Sequence, residues 1–480
     1  MNSKKIFVSA FVVVFINVLA SAQNYIDTIY SIKTETDIEY GKMVDFAGTE
    51  RSLKLDISYP TNDTAPICGR PLMVIVHGGA WMAGHKAEGY PPTMREHFAK
   101  RGYTTASVDY RLGLFHTEKL VNCNIPNWNC FNTTDSSEWY RANYRGIQDV
   151  YGAIRYLVQN AKKYQIDANQ VFLVGESAGG FVAMGVGFID DSTEILTSLI
   201  ANLGNAPKPN KLYESPCLKT VGLAVSVDSM VLSRPNLGDL KGTLNYSTTP
   251  FTIKAVGNFY GGVFNNIFES HGSKSPDLYT YHQPCDLIVP YNHQRLLAGY
   301  VSCMQGFPAN CGNIINRPWA YGSAGFTALI DTLKKQSKPT CNYFFDKTTN
   351  NYNCLQQTNT ACHAIDNFSL RTENMAKFFA QRIDSCNISG IAKMPLTNAI
   401  HIQPNPTNAV VSVIFSEEIA SAKISIFDVH GLKIKEMDFR NLKQTDVDLS
   451  AFSDGFYFFK FELNNEYFVS KPILKSDDRN

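Results

Sequence analysis

The stretch Val171-Phe172-Leu173-Val174-Gly175-Glu176-Ser177-Ala178-Gly179-Gly180 decides the fold. Val171 to Val174 is an unbroken apolar run, as in a strand buried on both faces. Ala178 to Phe188 reads as a helix. Between them lies a Gly-x-Ser-x-Gly turn whose small flanking residues permit a strained backbone that lifts a serine hydroxyl above a sheet. A bare Gly-x-Ser-x-Gly arises by chance, but a strand before it and a helix after it supply the context that the turn requires.

Working outward, Leu72 to Val76 is a second continuous apolar run and Thr104 to Tyr110 a third strand. Leu53 to Tyr59 alternates apolar and polar positions. From Arg141 to Lys163, Ile147, Val150, Ile154, Leu157 and Val158 recur at helical spacing and give one apolar stripe. Val221 to Val227, Leu278 to His282 and Tyr343 to Phe345 are further strands, and Met375 to Ile383 is a closing helix. Strands alternating with helices point to an α/β domain with a mostly parallel sheet and helices on both faces. Two aperiodic segments, Leu112 to Tyr140 and residues 229–276, are expected at the carboxyl ends of strands, where they can wall a cleft.

His77-Gly78-Gly79-Ala80-Trp81 directly follows the strand Leu72 to Val76. Residues with little or no side chain let backbone N–H groups approach a substrate oxygen. Gly79, Ala80 and Ala178 are the candidate donors of an oxyanion hole. His77 reads as structural.

The ends of the chain differ from its middle. Lys4 and Lys5, the apolar run Ile6 to Leu19 and Ala20-Ser21-Ala22 form a secretory signal peptide over residues 1–22, with the mature chain starting at Gln23. No later stretch reaches the roughly 18 apolar residues of a membrane span. After about residue 388 short strands with turn signals take over, which is the spacing of a small all-β sandwich. The expected division is a catalytic domain over 23–388, a linker over 389–398 and the β module over 399–480.

Composition narrows the functions. The chain has 480 residues, enough for about three domains, with 44 Lys+Arg against 43 Asp+Glu. A net charge of +1 leaves no electrostatic footprint for nucleic acid or an anionic membrane. Eleven cysteines are many for a reducing cytosol and fit export. No H-E-x-x-H, C-x-x-C or carboxylate cluster suggests a metal, and no G-x-G-x-x-G follows a strand, so no cofactor is expected.

On the two motifs and on Ser107-Val108-Asp109-Tyr110-Arg111-Leu112, residues 50–385 resemble the α/β-hydrolase superfamily. The resemblance is to its secreted carboxylesterases and its hormone-sensitive-lipase-like and feruloyl- or acetyl-esterase-like members. Asp109 and Arg111 are structural in this reading, and Ala80 stands where the family has a third glycine. The resemblance implies a Ser-acid-His order. Tyr281-His282-Gln283-Pro284-Cys285-Asp286-Leu287-Ile288-Val289-Pro290 is similar to the family's H-G-x-x-D-x-x-V-P turn, with Gln283 in place of Gly. That makes Asp286 the acid, with Asp277 the alternative. Of the later histidines, His401 and His430 lie in the β module and His293 is too near Asp286 in sequence. His363 is left, in a polar loop before a closing helix. Ser177, Asp286 and His363 then imply an ester hydrolase working through an acyl-enzyme. The alternatives are an acetyl or feruloyl esterase directed at polysaccharide, and a catalytically idle binding protein on the cell surface.

The β module has its own resemblance. His401 to Asn408, Ile424 to Gly431, Leu449 to Phe458 and Lys471 to Lys475 look like the type A sorting domain of the type IX secretion system of Bacteroidetes. This implies the type IX machinery as partner and a secreted or surface-attached product. The bland alternative is a carbohydrate-binding or adhesive sandwich. Cys285 precedes Asp286 and Cys362 precedes His363, so a working triad brings these cysteines within bonding range and makes them a candidate bridge; the alternative is that they bond elsewhere or stay reduced, since neighbouring side chains on a loop can point in opposite directions. Cys123 with Cys130 and Cys303 with Cys311 are candidate short-range pairs.

Overall fold

The computed structural model describes residues 25–63, 65–115, 136–206, 231–269, 275–298, 317–348, 362–384, 400–463 and 467–476. The signal peptide, linker and Val221 to Val227 strand expected from the sequence, and both candidate short-range cysteine pairs, lie outside the described residues. The chain divides into two compact units, Met1–Ser385 and Cys386–Asn480.

The first unit is built on an eight-stranded sheet. In chain order its strands are β1 (Ile32–Val44), β2 (Glu50–Pro60), β3 (Arg70–Val76), β4 (Thr104–Val108), β5 (Ile166–Glu176), β6 (Ile253–Phe259), β7 (Asp277–His282) and, after a two-stranded ribbon of β8 (His293–Arg295) and β9 (Trp319–Tyr321), β10 (Tyr343–Lys347). The spatial order is β1-β2-β4-β3-β5-β6-β7-β10. β1 and β2 are antiparallel and β2 joins β4 antiparallel, whereas every pair from β4 to β10 is parallel.

The period of two divides the central strands between two cores. Leu72, Val74, Val76, Val171 and Leu173 join Ile147, Val150 and Ile154 of α2 (Ser137–Gln159), Val182 of α3 (Ala178–Phe188) and Ile330 of α4 (Ser323–Lys335). Met73, Ile75, Phe172 and Val174 join Met94 and Phe98 of α1 (Tyr90–Ala99), and Met375 and Phe379 of α5 (Phe368–Ala380). Apolar strands with a helix layer on each face follow directly.

Two strands of the eight-stranded sheet were not legible. β1 is largely exposed, alternates Lys, Glu and Thr with apolar residues, and carries two register shifts at the sheet edge. β6 falls inside the segment expected to be an irregular cleft wall. It contains Gly257 and Asn258, poor strand formers by propensity. Their reason is tertiary: a Cβ on Gly257 would press on Met375 of α5, and the Asn258 side chain donates to Thr280 Oγ1 at 3.0 Å.

The second unit is a five-stranded antiparallel sheet: β11 (Ile400–Gln403), β12 (Val410–Phe427), β13 (Lys433–Asp448), β14 (Gly455–Leu463) and β15 (Tyr467–Lys475). The segments Val410 to Phe415 and Ala422 to Asp428, expected as separate strands, are halves of the long β12. Its first half pairs β11 and its second half pairs β14, with β13 alongside and a register break between Ile414 and Ile419. Val411, Val413, Ile424, Ile426, Phe459 and Phe461 bury one apolar core of this unit alone.

Candidate active site

Ser177 sits between β5 and α3 at φ 51°, ψ −122°. A non-glycine residue there costs roughly 1–3 kcal/mol and persists only when its surroundings over-determine it. The Ser177 N–H donates to Phe259 O at 2.9 Å, and Ser177 O accepts from Gly180 N at 2.9 Å. The two motif glycines are required by close backbone passage. A Cβ on Gly175 would run into the Gly179 carbonyl, and one on Gly179 into the carbonyls of Val76 and His77.

The loop after β3 runs alongside the serine. A Cβ on Gly78 would lie 3.1 Å from Ser177 Cβ. Gly79, Ala80 and Trp81 take φ values of 105°, 54° and 58°. The Gly79 carbonyl accepts from Met82 N at 3.0 Å and Ala83 N at 2.9 Å, which closes the turn. His77 is buried beneath it, stacked on Tyr110 at 4.5 Å, and burial holds its imidazole down at about 4. Asp109 accepts from Lys86 N at 2.7 Å, and Arg111 is locked to the buried Asp149 at 2.8 Å, so both brace the loops.

Asp286 lies on the turn after β7. Its Oδ1 accepts from Ile288 N at 2.8 Å and Val289 N at 3.0 Å. Its Oδ2 lies 2.7 Å from His363 Nδ1, and His363 Nε2 lies 2.7 Å from Ser177 Oγ. Burial by itself pushes the Asp286 carboxyl up. The charge on His363 and the hydrogen bonds from His282 and His363 outweigh burial and hold the carboxyl below its ordinary range. With Nδ1–H given to the carboxylate, Nε2 is left as an acceptor for the serine proton. Cys285 and Cys362 are joined as a disulfide with Cα atoms 5.6 Å apart, directly before Asp286 and His363. Gln283, where the family turn has Gly, reaches across to Ala364 O at 2.9 Å and Cys362 O at 3.3 Å.

Asp277 and His293, the alternatives within the first unit, are not brought to Ser177. Asp277 starts β7, at the opposite end of the strand, and pairs with Arg382 at 2.9 Å. His293 lies on β8 and stacks on Tyr321 at 3.8 Å. His401 and His430 belong to the second unit.

Three neighbours escaped the sequence reading. Glu176 is the variable position of the Gly-x-Ser-x-Gly turn, and burial raises its carboxyl. Tyr260 donates to it at 2.5 Å and meets the His363 ring edge-on, with the ring centroids 4.6 Å apart. Tyr260 directly follows β6, so missing that strand hid it. His282 carries the third role; only its place in the turn motif signalled it. Beyond Ala80, Trp81 packs on Phe181 and Phe264, and Tyr140 on Phe264, which makes an aromatic cluster.

The BD-FAE family, of α/β-hydrolase esterases, matches residues 55–119 and 141–217. The secretion system C-terminal sorting domain matches residues 401–475. The chain carries an α/β-hydrolase domain and a C-terminal sorting domain. A sorting domain of this kind marks the chain for export by type IX secretion, to the cell surface or beyond it. The hydrolase domain is similar to carboxylesterase 3 of Pongo abelii, 32% identical over 146 residues, or 30% of this chain and 22% of that protein. It is similar also to a probable isoprenylcysteine alpha-carbonyl methylesterase of Arabidopsis thaliana, 25% identical over 136 residues, or 28% of this chain and 22% of that protein. The chain thus spans about a fifth of the length of these curated relatives. Among solved structures it is similar to an inhibited esterase B from Lactobacillus rhamnosis (TM-score 0.35, 15% identity, 78% of this chain and 95% of that chain). A truncated carbohydrate esterase from gut microbiota gives TM-score 0.36 at 16% identity, over 74% of this chain and 98% of that chain. No helix among the described residues is long and apolar enough to cross a membrane.

Proposed function

We propose that the protein is an exported serine carboxylic-ester hydrolase. The observation that carries this reading is the continuous relay Ser177 Oγ–His363 Nε2 and His363 Nδ1–Asp286 Oδ2, 2.7 Å at both steps. In this mechanism Ser177 Oγ attacks the ester carbonyl while His363 takes its proton. Asp286 holds the imidazole tautomer and stabilises the imidazolium. Gly79, Ala80 and Ala178 offer backbone N–H groups to the oxyanion, about 3 kcal/mol per donor in comparable sites. Collapse of the tetrahedral intermediate breaks the ester C–O bond, and His363 protonates the leaving alcohol. Water, deprotonated by His363, then cleaves the acyl-serine, returns the serine hydroxyl and releases the acid. The signal peptide over residues 1–22 and the type IX machinery, engaged by the sorting domain, deliver the enzyme.

A fluorophosphonate tests the reading directly. The mature protein is expected to take one label on Ser177 and to turn over p-nitrophenyl esters. A catalytically idle binding protein stays unlabelled.

A second, narrower reading is favoured by one feature. A cleft of about 500 Å³ flanks the acid turn, lined by Pro284, Leu287, Asn292, His293, Gln294 and the half-exposed Trp319. An aromatic face among amide and imidazole groups suits a sugar ring, which supports acetyl or feruloyl esters on a polysaccharide as substrate. Comparing turnover of acetylated and feruloylated glycans with that of p-nitrophenyl acetate decides this point.

A further inference from the structure

The catalytic acid has a second histidine behind it. His282 ends β7 fully buried, and its Nε2 lies 3.0 Å from Asp286 Oδ2 and 3.2 Å from Val289 O. Both partners only accept, a carboxylate and a carbonyl, so Nε2 carries the proton. On the other side of the ring, the Ser323 backbone N–H donates to Nδ1 at 3.3 Å, so Nδ1 is the bare nitrogen. The partners of opposite obligate sense fix one neutral tautomer. The ring itself is held from below by a buried chain: Ser323 Oγ bonds Thr280 Oγ1 at 2.8 Å, and Asn258 Nδ2 donates to Thr280 Oγ1 at 3.0 Å. Asn258 stands beside Gly261, itself against the Ser177 carbonyl.

We infer that His282 is a positioning residue for the proposed hydrolysis. It supplies the fourth donor to Asp286, beside Ile288 N, Val289 N and His363, and so locks carboxylate rotation. Oδ2 is thereby aimed at His363 Nδ1, and the base presents Nε2 to Ser177. Donors behind a catalytic ligand set its orientation and basicity in this way at many sites. The inference rests on the proposed Ser177–His363–Asp286 chemistry. Among the described residues, the other ionisable groups facing the two imidazoles are Tyr291, its ring centroid 5.6 Å from that of His282, and the Tyr260–Glu176 pair at His363.

The test compares His282→Phe, which keeps a ring without a donor, with His282→Gln, whose amide N–H replaces Nε2–H. Both are made in the full mature chain and read on p-nitrophenyl acetate. Ser177→Ala serves as the blank that establishes the underlying reaction. His282→Phe is expected to lower kcat at least tenfold with KM within about twofold. The acidic limb of its pH profile should move to higher pH, because a carboxylate with one donor fewer holds the imidazolium more tightly. His282→Gln should restore most of kcat and the limb. If the Phe variant does not fold, His282→Asn, too short to reach Oδ2, should show the same deficit relative to Gln. The far-downfield proton signal of the His363–Asp286 bond gives a readout without substrate: displaced or lost in Phe, retained in Gln. Wild-type kcat and limb in His282→Phe, or equal loss in Phe and Gln with an unmoved limb and unmoved proton signal, overturns the inference. If wild type and Ser177→Ala turn over alike, the hydrolase reading fails, and the proton signal still decides the role of His282.

Discussion

The two halves of the site are held by different means. The nucleophile side, made by the ends of β3 and β5, is a backbone construction. Its shape comes from Gly175 and Gly179 where carbonyls pass too close for a Cβ, and from positive φ at Gly79, Ala80, Trp81 and Ser177. The acid–base side, made by the turn after β7 and the loop before α5, is a side-chain construction. His282, Gln283 and the Cys285–Cys362 bridge join residues 77 to 81 positions apart or brace them from beneath. A backbone construction is written in contiguous residues; a side-chain construction becomes visible only when distant segments meet.

The comparison breaks most severely at the serine, where the two halves touch. Ser177→Ala is expected to lower kcat by about 10³-fold or more, as triad removals do, while the thermal midpoint is kept. Retention of more than about a tenth of wild-type turnover rejects the nucleophile. Next, Gly179→Ala should cost several kcal/mol of stability, on the order of 3 or more, because two backbone carbonyls cannot move aside. Gly204→Ala, with open space around it, should be neutral in the same chemical denaturation series.

On the other half, Cys285→Ala with Cys362→Ala opens a loop closed over a separation of 77 residues. The chain-entropy account allows up to about 4 kcal/mol, less in practice when the folded loops stay packed. The expected result is a lower unfolding midpoint, together with a kcat drop of a few fold at constant KM. An unchanged kcat would show that the bridge adds stability without setting the triad.

Acid separates the halves by pH. His77, buried under the nucleophile loop, is neutral in the folded state, with its value depressed to about 4. The unfolded chain takes up a proton near 6.5, so this contribution is complete above that pH and is lost as pH falls towards about 4. The loss is about 3 kcal/mol. Asp286 is held low instead, so its contribution stays until pH falls below the ordinary carboxylate range, and is lost there. Urea midpoints of wild type and His77→Phe between pH 7 and 4 should diverge in slope over that window. The smallest effect is expected from Gln283→Gly, which returns the family's glycine and removes two clasps onto the base loop. It should cost about 1 kcal/mol in stability, with kcat reduced less than by loss of the bridge.

Much of the molecule was determined by sequence alone. Apolar runs of period two and stripes of period 3.6 specify which segments become strands and helices, because local side-chain alternation is itself the physical cause of burial. The Gly-x-Ser-x-Gly and His-Gly-Gly turns are legible for the same reason: their backbone strain must be met by the residues in place. Tertiary structure decided the rest. Gly257 and Asn258 look like loop residues until α5 is seen packed on one and a buried polar chain fed by the other. Tyr260 becomes a neighbour of His363 only through β6. Glu176 is an unremarked letter of its motif until burial and Tyr260 act on it. His282 acquires its tautomer from Ser323, 41 residues further on. A buried polar group takes its meaning from its partners, and partners chosen across such distances leave no periodic trace in the chain.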